Sequence, residues 1–177
     1  MSEKRDLLSI TDLSTAESRQ IIRRAREMKS NPGGSPLAGK SVALLFEKPS
    51  LRTRTSFDVG IHQLGGHPIY LGPQEVGLND REPASDVAKV LSGYVDCIIA
   101  RVFSHAHLLE LAKYATVPVI NALSDVEHPC QIMTDMVTID EHKGSLEGLK
   151  LSFIGDGNNV ARSLCLGLPP LGVSFTI

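Results

Sequence analysis

One stretch of the sequence, FEKPSLRTRTSF (Phe46 to Phe57), concentrates groups that bind anions. Its three cations and four hydroxyls are Lys48, Arg52, Arg54, Ser50, Thr53, Thr55 and Ser56. An apolar run precedes the stretch and a helical pattern follows it, which places Ser50 to Thr53 at the start of a helix. There, free backbone N–H groups and the helix dipole attract an oxyanion, and a guanidinium binds a phosphate bidentately. The stretch therefore predicts a phosphate site.

The same residues also have an ordinary structural interpretation. Ser50 would then only cap the helix, because serine is a preferred residue at that position. The two arginines would be solvated or paired with acids such as Glu47 and Asp58. Capping accounts for the hydroxyl of Ser50 alone. The structural interpretation therefore explains any one of these residues, but it does not explain why so many cations and hydroxyls occur together.

Two further segments carry candidate groups. Arg101 ends the apolar run CIIAR, so it either pairs with an acid or points at a ligand, and the sequence leaves both open. The motif HPCQ follows the apolar run VPVINAL and contains His128 and Gln131. A lone histidine is more often structural, but here a glutamine with both a donor and an acceptor accompanies it. Ligands of doubly wound sheets bind at the carboxyl ends of the strands, which is where these segments are expected.

Two other kinds of site are rejected. Cys130 lies at the predicted start of a helix, but the sequence around it contains no identifiable base, so we do not expect a nucleophile. The histidines show no recognisable ligand spacing with cysteines or acids. We therefore predict no metal site.

Composition and charge limit the class of protein. The 177 residues are 42% hydrophobic, which is enough for a sizeable core in one or two domains. A formal net charge of −2 gives no overall field that attracts nucleic acid or an anionic membrane. No apolar stretch approaches the roughly 18 residues of a membrane span, and the charged start MSEKRDLLSITDLS does not resemble an export signal. Three widely spaced cysteines fit a reducing compartment, so we expect a soluble cytoplasmic protein without nucleic-acid or membrane partners.

The hydrophobic pattern alternates between short apolar runs and helical periods. The runs SVALLF, HPIYLG, CIIAR and VPVINAL predict strands. Helices are predicted from the capping box at Ser14, after Ser50, in the segment with Val87 and Tyr94, at His105 to Ala115 and at Cys130 to His142, with a polar loop at Gly72 to Pro83. Apolar strands separated by helices indicate an α/β fold, with a parallel sheet and helices on both faces.

A polar, glycine-bearing link, HKGSLEGLK, predicts a domain boundary near residue 145. We therefore divide the chain into residues 1–145, with the phosphate site, and residues 146–177. The second part reads as the strand LKLSFIGD, a helix from Asn158 and the strand GVSFTI. One βαβ unit cannot cover its own sheet, so we expect this second α/β domain to be incomplete.

The motif GDGNNVA, Gly155 to Ala161, favours a different class of function. It follows a strand and opens a helix, as a dinucleotide fingerprint does, but it lacks the third glycine. The acidic residue that would bind a ribose belongs about 20 residues further on, beyond Ile177. A fragment of a dinucleotide-binding dehydrogenase is therefore the alternative hypothesis.

Five motifs together resemble the aspartate and ornithine carbamoyltransferase family: FEKPSLRTRTSF, QLGGHPIYL, VLSGYVDCIIAR, VPVINALSDVEHPCQ and GDGNNVARS. The resemblance runs from about Leu7 to the last residue. Cys130 in HPCQ and the pair Asn158 and Asn159 in GDGNN resemble the ornithine branch, whereas the aspartate branch usually has threonine at the cysteine position. A carbamoyltransferase for aspartate or another amine is the alternative within the family.

The resemblance implies a site for carbamoyl phosphate. The family's S-x-R-T segment would hold the phosphate group through Ser50, the backbone of Leu51, Arg52 and Thr53. Family members usually have threonine at the position of Leu51, so this chain lacks one hydroxyl but keeps the backbone N–H.

The resemblance also implies the reaction and its remaining groups. The carbamoyl group would be surrounded by Thr53, Arg101, His128 and Gln131, of which Thr53, Arg101 and His128 would act on the reacting carbonyl. It would pass to the δ-amine of L-ornithine, giving L-citrulline and phosphate in arginine metabolism, without a cofactor. Asn159 would contact ornithine.

Finally, the resemblance implies partners and missing parts. Family members are built on trimers, so we expect a homotrimer or a multiple of trimers that associates through the faces flanking Pro73 to Pro83. Many relatives carry in this loop a glutamine that reaches a neighbouring subunit, where this chain has Gly77. The family's second domain holds further motifs for the amino acid that are not in this sequence, so we expect the chain to be incomplete for catalysis.

Overall fold

The computed structural model describes residues 4–31 and 33–177. In chain order, its helices and strands are α1 (Thr15–Ser30), β1 (Ser41–Phe46), α2 (Leu51–Gln63), β2 (His67–Leu71), α3 (Pro73–Val76), α4 (Ala84–Ser92), β3 (Cys97–Arg101), α5 (His105–Tyr114), β4 (Val119–Leu123), α6 (Pro129–Lys143), β5 (Lys150–Ser152), α7 (Asn159–Gly167) and β6 (Ser174–Thr176). Short 3-10 helices cover Ile10–Asp12 and Pro169–Leu171. None of the helices in the described ranges combines the length and apolar character needed to cross a membrane.

The chain forms two compact units. The sheet unit comprises residues 4–8 and Gly34–Asp125, and the helical unit comprises Ser9–Gly33 and Val126–Ile177. The two units are defined by which residues pack together. They do not test the domain boundary near residue 145, which stays a prediction.

The sheet unit contains a four-stranded parallel sheet in the order β2-β1-β3-β4. β1 is buried from Val42 to Phe46, as expected of a central parallel strand. Side chains that alternate along it pack on opposite faces. Ala43 and Leu45 contact a cluster that contains Ala88 of α4 and Leu108 of α5, and Leu44 contacts a cluster that contains Ile61 of α2. The predicted α/β fold with helices on both faces is therefore confirmed.

The helical unit has its own core. A cluster containing Ile22 of α1, Ile132 and Met136 of α6, and Leu164 of α7 includes the partly buried side chains of the β5–β6 pair. The capping box predicted for α1 is present, because Ser14 and Glu17 bond each other's backbone N–H groups. Each predicted helix and strand of this unit is found, although β5 and β6 are shorter than the apolar runs.

Two local expectations are wrong. The segment Gly72 to Pro83 is not a loop throughout, since it contains the short helix α3, with Pro73 at its first position. Tyr94 does not belong to the buried face of α4, because the helix ends at Ser92 and the tyrosine is 78% exposed.

Gly77 ends α3 with a positive φ of 44°, a conformation that costs about 1 kcal/mol for a side chain. A Cβ there would also lie 3.0 Å from Cβ of Arg81. We expect Gly77→Ala to lower the free energy of unfolding by about 1 kcal/mol or more. Urea denaturation followed by circular dichroism measures this change.

The control is Gly60→Ala in the middle of α2, where the added Cβ has no neighbour within 4 Å. Alanine should raise the free energy of unfolding there by about 0.5 to 1 kcal/mol, because glycine is a poor helix former. Equal effects of the two substitutions would contradict the backbone explanation.

Candidate functional site

Two of the predicted site segments start side by side at the carboxyl edge of the sheet. Phe46, the last residue of β1, is paired with Arg101, the last residue of β3. The pairing of β3 with β4 shifts register between Ala100 and Arg101. Ala100 pairs with Asn121 and Arg101 pairs with Leu123, so the extra residue of this bulge, Ala122, lies on β4. The strand that carries the charge, β3, pairs with β1 without a shift up to Arg101.

The N-terminus of α2 has the geometry of an anion site. Ser50 caps the helix, and its Oγ accepts a hydrogen bond from the N–H of Thr53 at 3.3 Å. The first bond of the helix runs from the N–H of Arg54 to the carbonyl of Ser50. The amides of Leu51 and Arg52 precede that bond, so they point out of the helix end. The side chain of Leu51 is 81% exposed, which leaves its backbone as its contribution to the site.

Thr53 joins the helix end to β3. Its Oγ1 accepts hydrogen bonds from Ser50 Oγ at 3.0 Å and from Arg101 Nη1 at 3.3 Å. With both contacts accepted by the oxygen, the hydroxyl proton of Thr53 remains available for donation to a ligand. The structure thus brings three of the predicted residues, Ser50, Thr53 and Arg101, into one hydrogen-bonded cluster.

The guanidinium of Arg101 is not satisfied by the protein. Its Nε is buried and has no hydrogen-bond partner among the described residues, and no described carboxylate forms an ion pair with it. Burial lowers the pKa of Arg101 from its ordinary value, although the group stays charged. Leaving a buried donor unpaired costs about 1 to 3 kcal/mol, which an oxyanion would recover. Of the two interpretations left open by the sequence, this geometry favours a ligand.

The other cations of the stretch differ in their surroundings. Arg52 and Lys48 are exposed beside the helix end. Arg54 instead lies over the ring of Tyr70 on β2, with its guanidinium carbon 3.6 Å from the ring centroid, which is a cation–π contact. Arg54 is also exposed, so the interpretation of this residue as a solvated cation is confirmed, with the ring contact in addition.

His128 and its neighbours belong to the helical unit. His128 is the N-cap residue of α6, and its backbone N–H donates to Ser163 Oγ of α7 at 3.0 Å. Ser163 Oγ in turn donates to Glu127 Oε2 at 3.2 Å, and Glu127, which is 3% exposed, also accepts from Ser9 Oγ at 2.7 Å. This buried network fixes the backbone of His128.

Gln131 and Asn159 lie at helix starts in the same unit. Gln131 is exposed, and its Nε2 donates to Asp135 Oδ1 at 2.9 Å, which occupies one amide hydrogen. Burial raises the pKa of Asp135, and the bond from Gln131 opposes that shift. Asn159 is the half-buried first residue of α7. The proximity of these groups to Arg101, expected from the sequence, stays a prediction.

The start of α7 does not suit a pyrophosphate. Asn158 caps this helix, and its Oδ1 accepts from the N–H groups of Val160 and Ala161 at 3.0 and 3.1 Å. These are donors that a dinucleotide fingerprint would present to its ligand. The arrangement therefore disfavours the dehydrogenase hypothesis. Among residues 4–31 and 33–177, the His, Cys, Asp and Glu side chains form no group of three that could hold a metal ion.

Reasoning from the sequence missed Glu127, and it considered Glu47 only as a possible partner of the arginines, although both acids organise these segments. Glu47 follows β1 directly, and Glu127 directly precedes the HPCQ motif. Their positions next to strand ends and candidate residues were the available signal. Their partners lie far away along the chain and leave no local pattern. Glu47 bonds His107, and Glu127 bonds Ser9 and Ser163.

Cys130 is chemically inert, because burial raises the pKa of its thiol to about 12. Only about one molecule in ten thousand would carry the thiolate at pH 8. We therefore expect iodoacetamide at pH 8 to label the exposed Cys165 first and to leave Cys130 unmodified, as read by peptide mass spectrometry. All three cysteines should react in guanidinium chloride, and equal labelling of Cys130 and Cys165 in the folded chain would contradict the assignment.

Comparisons of sequence identify relatives. Residues 5–141 match the family described as aspartate/ornithine carbamoyltransferase, carbamoyl-P binding domain. Ornithine carbamoyltransferase of Methanocaldococcus jannaschii is 57% identical over 137 residues, which are 77% of this chain and 45% of that protein. Ornithine carbamoyltransferase of Thermococcus kodakarensis is 50% identical over 177 residues, 98% of this chain and 56% of the relative. The chain thus spans about half the length of the curated relatives that it matches.

Solved structures show the same similarity. Ornithine carbamoyltransferase from Pyrococcus furiosus superposes with a TM-score of 0.93 at 47% identity, covering 97% of this chain and 57% of that one. The enzyme of that name from Thermus thermophilus superposes with a TM-score of 0.92 at 45% identity, covering 97% and 61%. Both confirm the fold class predicted from the alternation of strands and helices.

Proposed function

The chain belongs to the aspartate/ornithine carbamoyltransferase family, and from this we propose that it supplies the carbamoyl phosphate site of an ornithine carbamoyltransferase. The observation that carries the proposal is the cluster of Ser50, Thr53 and Arg101. In it, Arg101 Nη1 bonds Thr53 at a helix N-terminus, while the buried Nε–H of Arg101 has no partner among the described residues. A helix end with two outward amides and adjacent cations fits a phosphate group.

In the proposed site the two ends of carbamoyl phosphate have different partners. The phosphate group accepts hydrogen bonds from the amides of Leu51 and Arg52 and from the guanidinium of Arg52. The hydroxyl of Ser50 joins them by turning its proton from Thr53 Oγ1 to the phosphate. The carbonyl oxygen accepts from Thr53 and Arg101. His128 and Gln131 contribute from the start of α6, as the family resemblance implies.

The proposed reaction is direct acyl transfer. The neutral δ-amine of L-ornithine attacks the carbonyl carbon, a C–N bond forms, and the carbonyl oxygen gains negative charge. Donors from Thr53 and Arg101 stabilise that oxyanion, and the family resemblance implies a third donor from His128. The C–O bond to phosphate then breaks with its electron pair going to the phosphate oxygen, the carbonyl re-forms, and the departing phosphate takes up the proton that the amine loses. Phosphate leaves toward the cations at the start of α2. The products are L-citrulline and phosphate.

Ornithine is the proposed acceptor because two positions match that branch of the family. These are Cys130 in HPCQ and the asparagine pair at the start of α7, where Asn159 would contact the amino acid. The curated relatives and solved structures described above are themselves named ornithine carbamoyltransferase. Transfer to aspartate or another amine is the alternative outcome of an acceptor screen.

We further propose a homotrimer, or a multiple of trimers, in the cytoplasm, with a domain boundary near residue 145. Association would use the faces flanking Pro73 to Pro83, a segment that contains α3 and the turn at Gly77. Glycine at that position offers no side chain to a neighbouring subunit, so any contact from this segment would come from other residues.

Arg52→Ala should weaken binding of carbamoyl phosphate by roughly ten- to a hundredfold, because a charge-assisted, bidentate contact is worth about 1.5 to 3 kcal/mol. Isothermal calorimetry on the chain measures this affinity. The matched control is Arg23→Ala, which removes an exposed arginine of α1 whose contact is an ion pair with Glu27. Unchanged affinity of the Arg52 variant would remove the central claim.

Catalysis can be tested by joining the chain to the C-terminal part of the Thermococcus kodakarensis relative that lies beyond the matched segment. The chain alone should form little or no citrulline, because holding the amine against the carbonyl carbon is worth up to about 7 to 11 kcal/mol. The joined protein should form citrulline in a colorimetric assay. Full activity of the chain alone would show that the ornithine site is misplaced.

In the joined protein, His128→Ala should lower kcat by about a hundred- to a thousandfold and raise KM much less, because its donor acts mainly on the transition state. His142→Ala is the matched control, since it removes an exposed histidine at the other end of α6. A change in KM alone would assign His128 to ground-state binding.

A further inference from the structure

Glu47 lies in the stretch that carries the cations of the site, but its carboxylate bonds Phe103 and His107 and none of these cations. Glu47 directly follows β1 and precedes the cap residue Ser50 by three positions, and its side chain is only 10% exposed. An acid beside a phosphate site should weaken phosphate binding through charge repulsion. Its presence at this position therefore needs another explanation.

The contacts of Glu47 all go to one segment, the one that begins at Arg101. The Glu47 N–H donates to the carbonyl of Arg101 at 2.9 Å. Oε2 accepts from the N–H of Phe103 at 2.9 Å, and Oε1 lies 3.0 Å from Nδ1 of His107 on α5. Both carboxylate oxygens thus have partners beyond β3, on the segment that leads into α5.

These contacts connect the two segments on which the anion cluster depends. The segment from Glu47 to Ser50 leads into α2, which carries Thr53, and the partner segment begins with the unsatisfied guanidinium of Arg101. The bond from Arg101 Nη1 to Thr53 Oγ1, at 3.3 Å, bridges them. The backbone bond from Glu47 N–H to the Arg101 carbonyl is the last step of the pairing between β1 and β3, and the side-chain bonds of Glu47 join the two segments beyond it.

We propose that Glu47 is a positioning residue, which fixes the distance between Arg101 and the N-terminus of α2 by bonding Phe103 and His107. This inference rests on the proposed function of the site as a phosphate site. Glu47 does not touch the ligand itself. Glu47 strengthens phosphate binding because its side chain is long enough to bond both Phe103 and His107. Its negative charge weakens phosphate binding and so opposes that effect.

Reach and charge are separated by three substitutions. Glu47→Gln keeps the length and removes the charge, since the amide oxygen can accept from Phe103 and the amide group can bond His107. Glu47→Asp keeps the charge but is one methylene shorter, so it cannot reach both partners. Glu47→Ala removes the carboxylate and its contacts altogether.

The probes are inorganic phosphate and carbamoyl phosphate, titrated calorimetrically into the chain. We expect Glu47→Asp and Glu47→Ala to weaken binding about five- to twentyfold, the loss of one or two well-placed hydrogen bonds. Glu47→Gln should stay within about threefold of the unchanged chain. Glu27→Ala is the matched control, because it removes an exposed acid of α1 whose partners are exposed arginines of the same helix. Thermal unfolding monitors the fold of each variant.

A spectroscopic measurement reports the distance directly. In NMR spectra of the ligand-free chain, the Nε–H resonance of Arg101 is assigned by its disappearance in Arg101→Lys. Its chemical shift should change in Glu47→Asp and stay the same in Glu47→Gln. Because the aspartate variant keeps a carboxylate after β1, it tests the inference even where the alanine variant does not fold.

The outcomes distinguish this inference from the proposed function. Absence of binding by the unchanged chain, or unchanged binding by Arg52→Ala, overturns both. Binding that requires Arg52 but is as tight in Glu47→Asp and Glu47→Ala as in the unchanged chain overturns only the positioning role. A glutamine variant as weak as the alanine variant also overturns it, since the charge rather than the reach would then be required.

Discussion

A cation at the end of a buried strand loses water on several sides, and the protein must replace the lost contacts or leave them to a ligand. Arg101 is in this position at the end of β3, where Thr53 replaces one contact and Nε has no partner in the described part of the chain. The cost of about 1 to 3 kcal/mol must be met by the rest of the fold. The packed faces of the parallel sheet meet it, because they hold the strand in place whether or not an anion is bound.

Much of the fold could be predicted from the sequence because its strands are continuous apolar runs between breakers. SVALLF and CIIAR have no alternating polar face, and a parallel sheet covered on both faces is the arrangement that buries such runs. The errors occurred where burial did not decide the structure. Tyr94 has the helical spacing of α4 but lies beyond its last residue, and the first turn of α3 depends on a proline in a polar segment.

The candidate site could be predicted only in part, for a related reason. Local chemistry identified Ser50, Arg52 and Thr53, since hydroxyls and cations at a helix start form a short pattern. The partner of each charge could not be predicted, because contacts such as that between Glu47 and His107 join residues 60 positions apart. The cation–π contact between Arg54 of α2 and Tyr70 of β2 is a second example, because nothing in the local sequence of either residue indicates it.

β3 pairs with β1 without a shift from Cys97 to Arg101, and this regular course limits how the edge of the sheet can change in evolution. Successive side chains of a strand point to opposite faces, so a single residue inserted or deleted in β3 would turn the guanidinium away from the helix end. A substitution within the strand changes only the packing around it. The chain length between Cys97 and Arg101 is therefore more tightly constrained than the identity of the apolar residues that fill it.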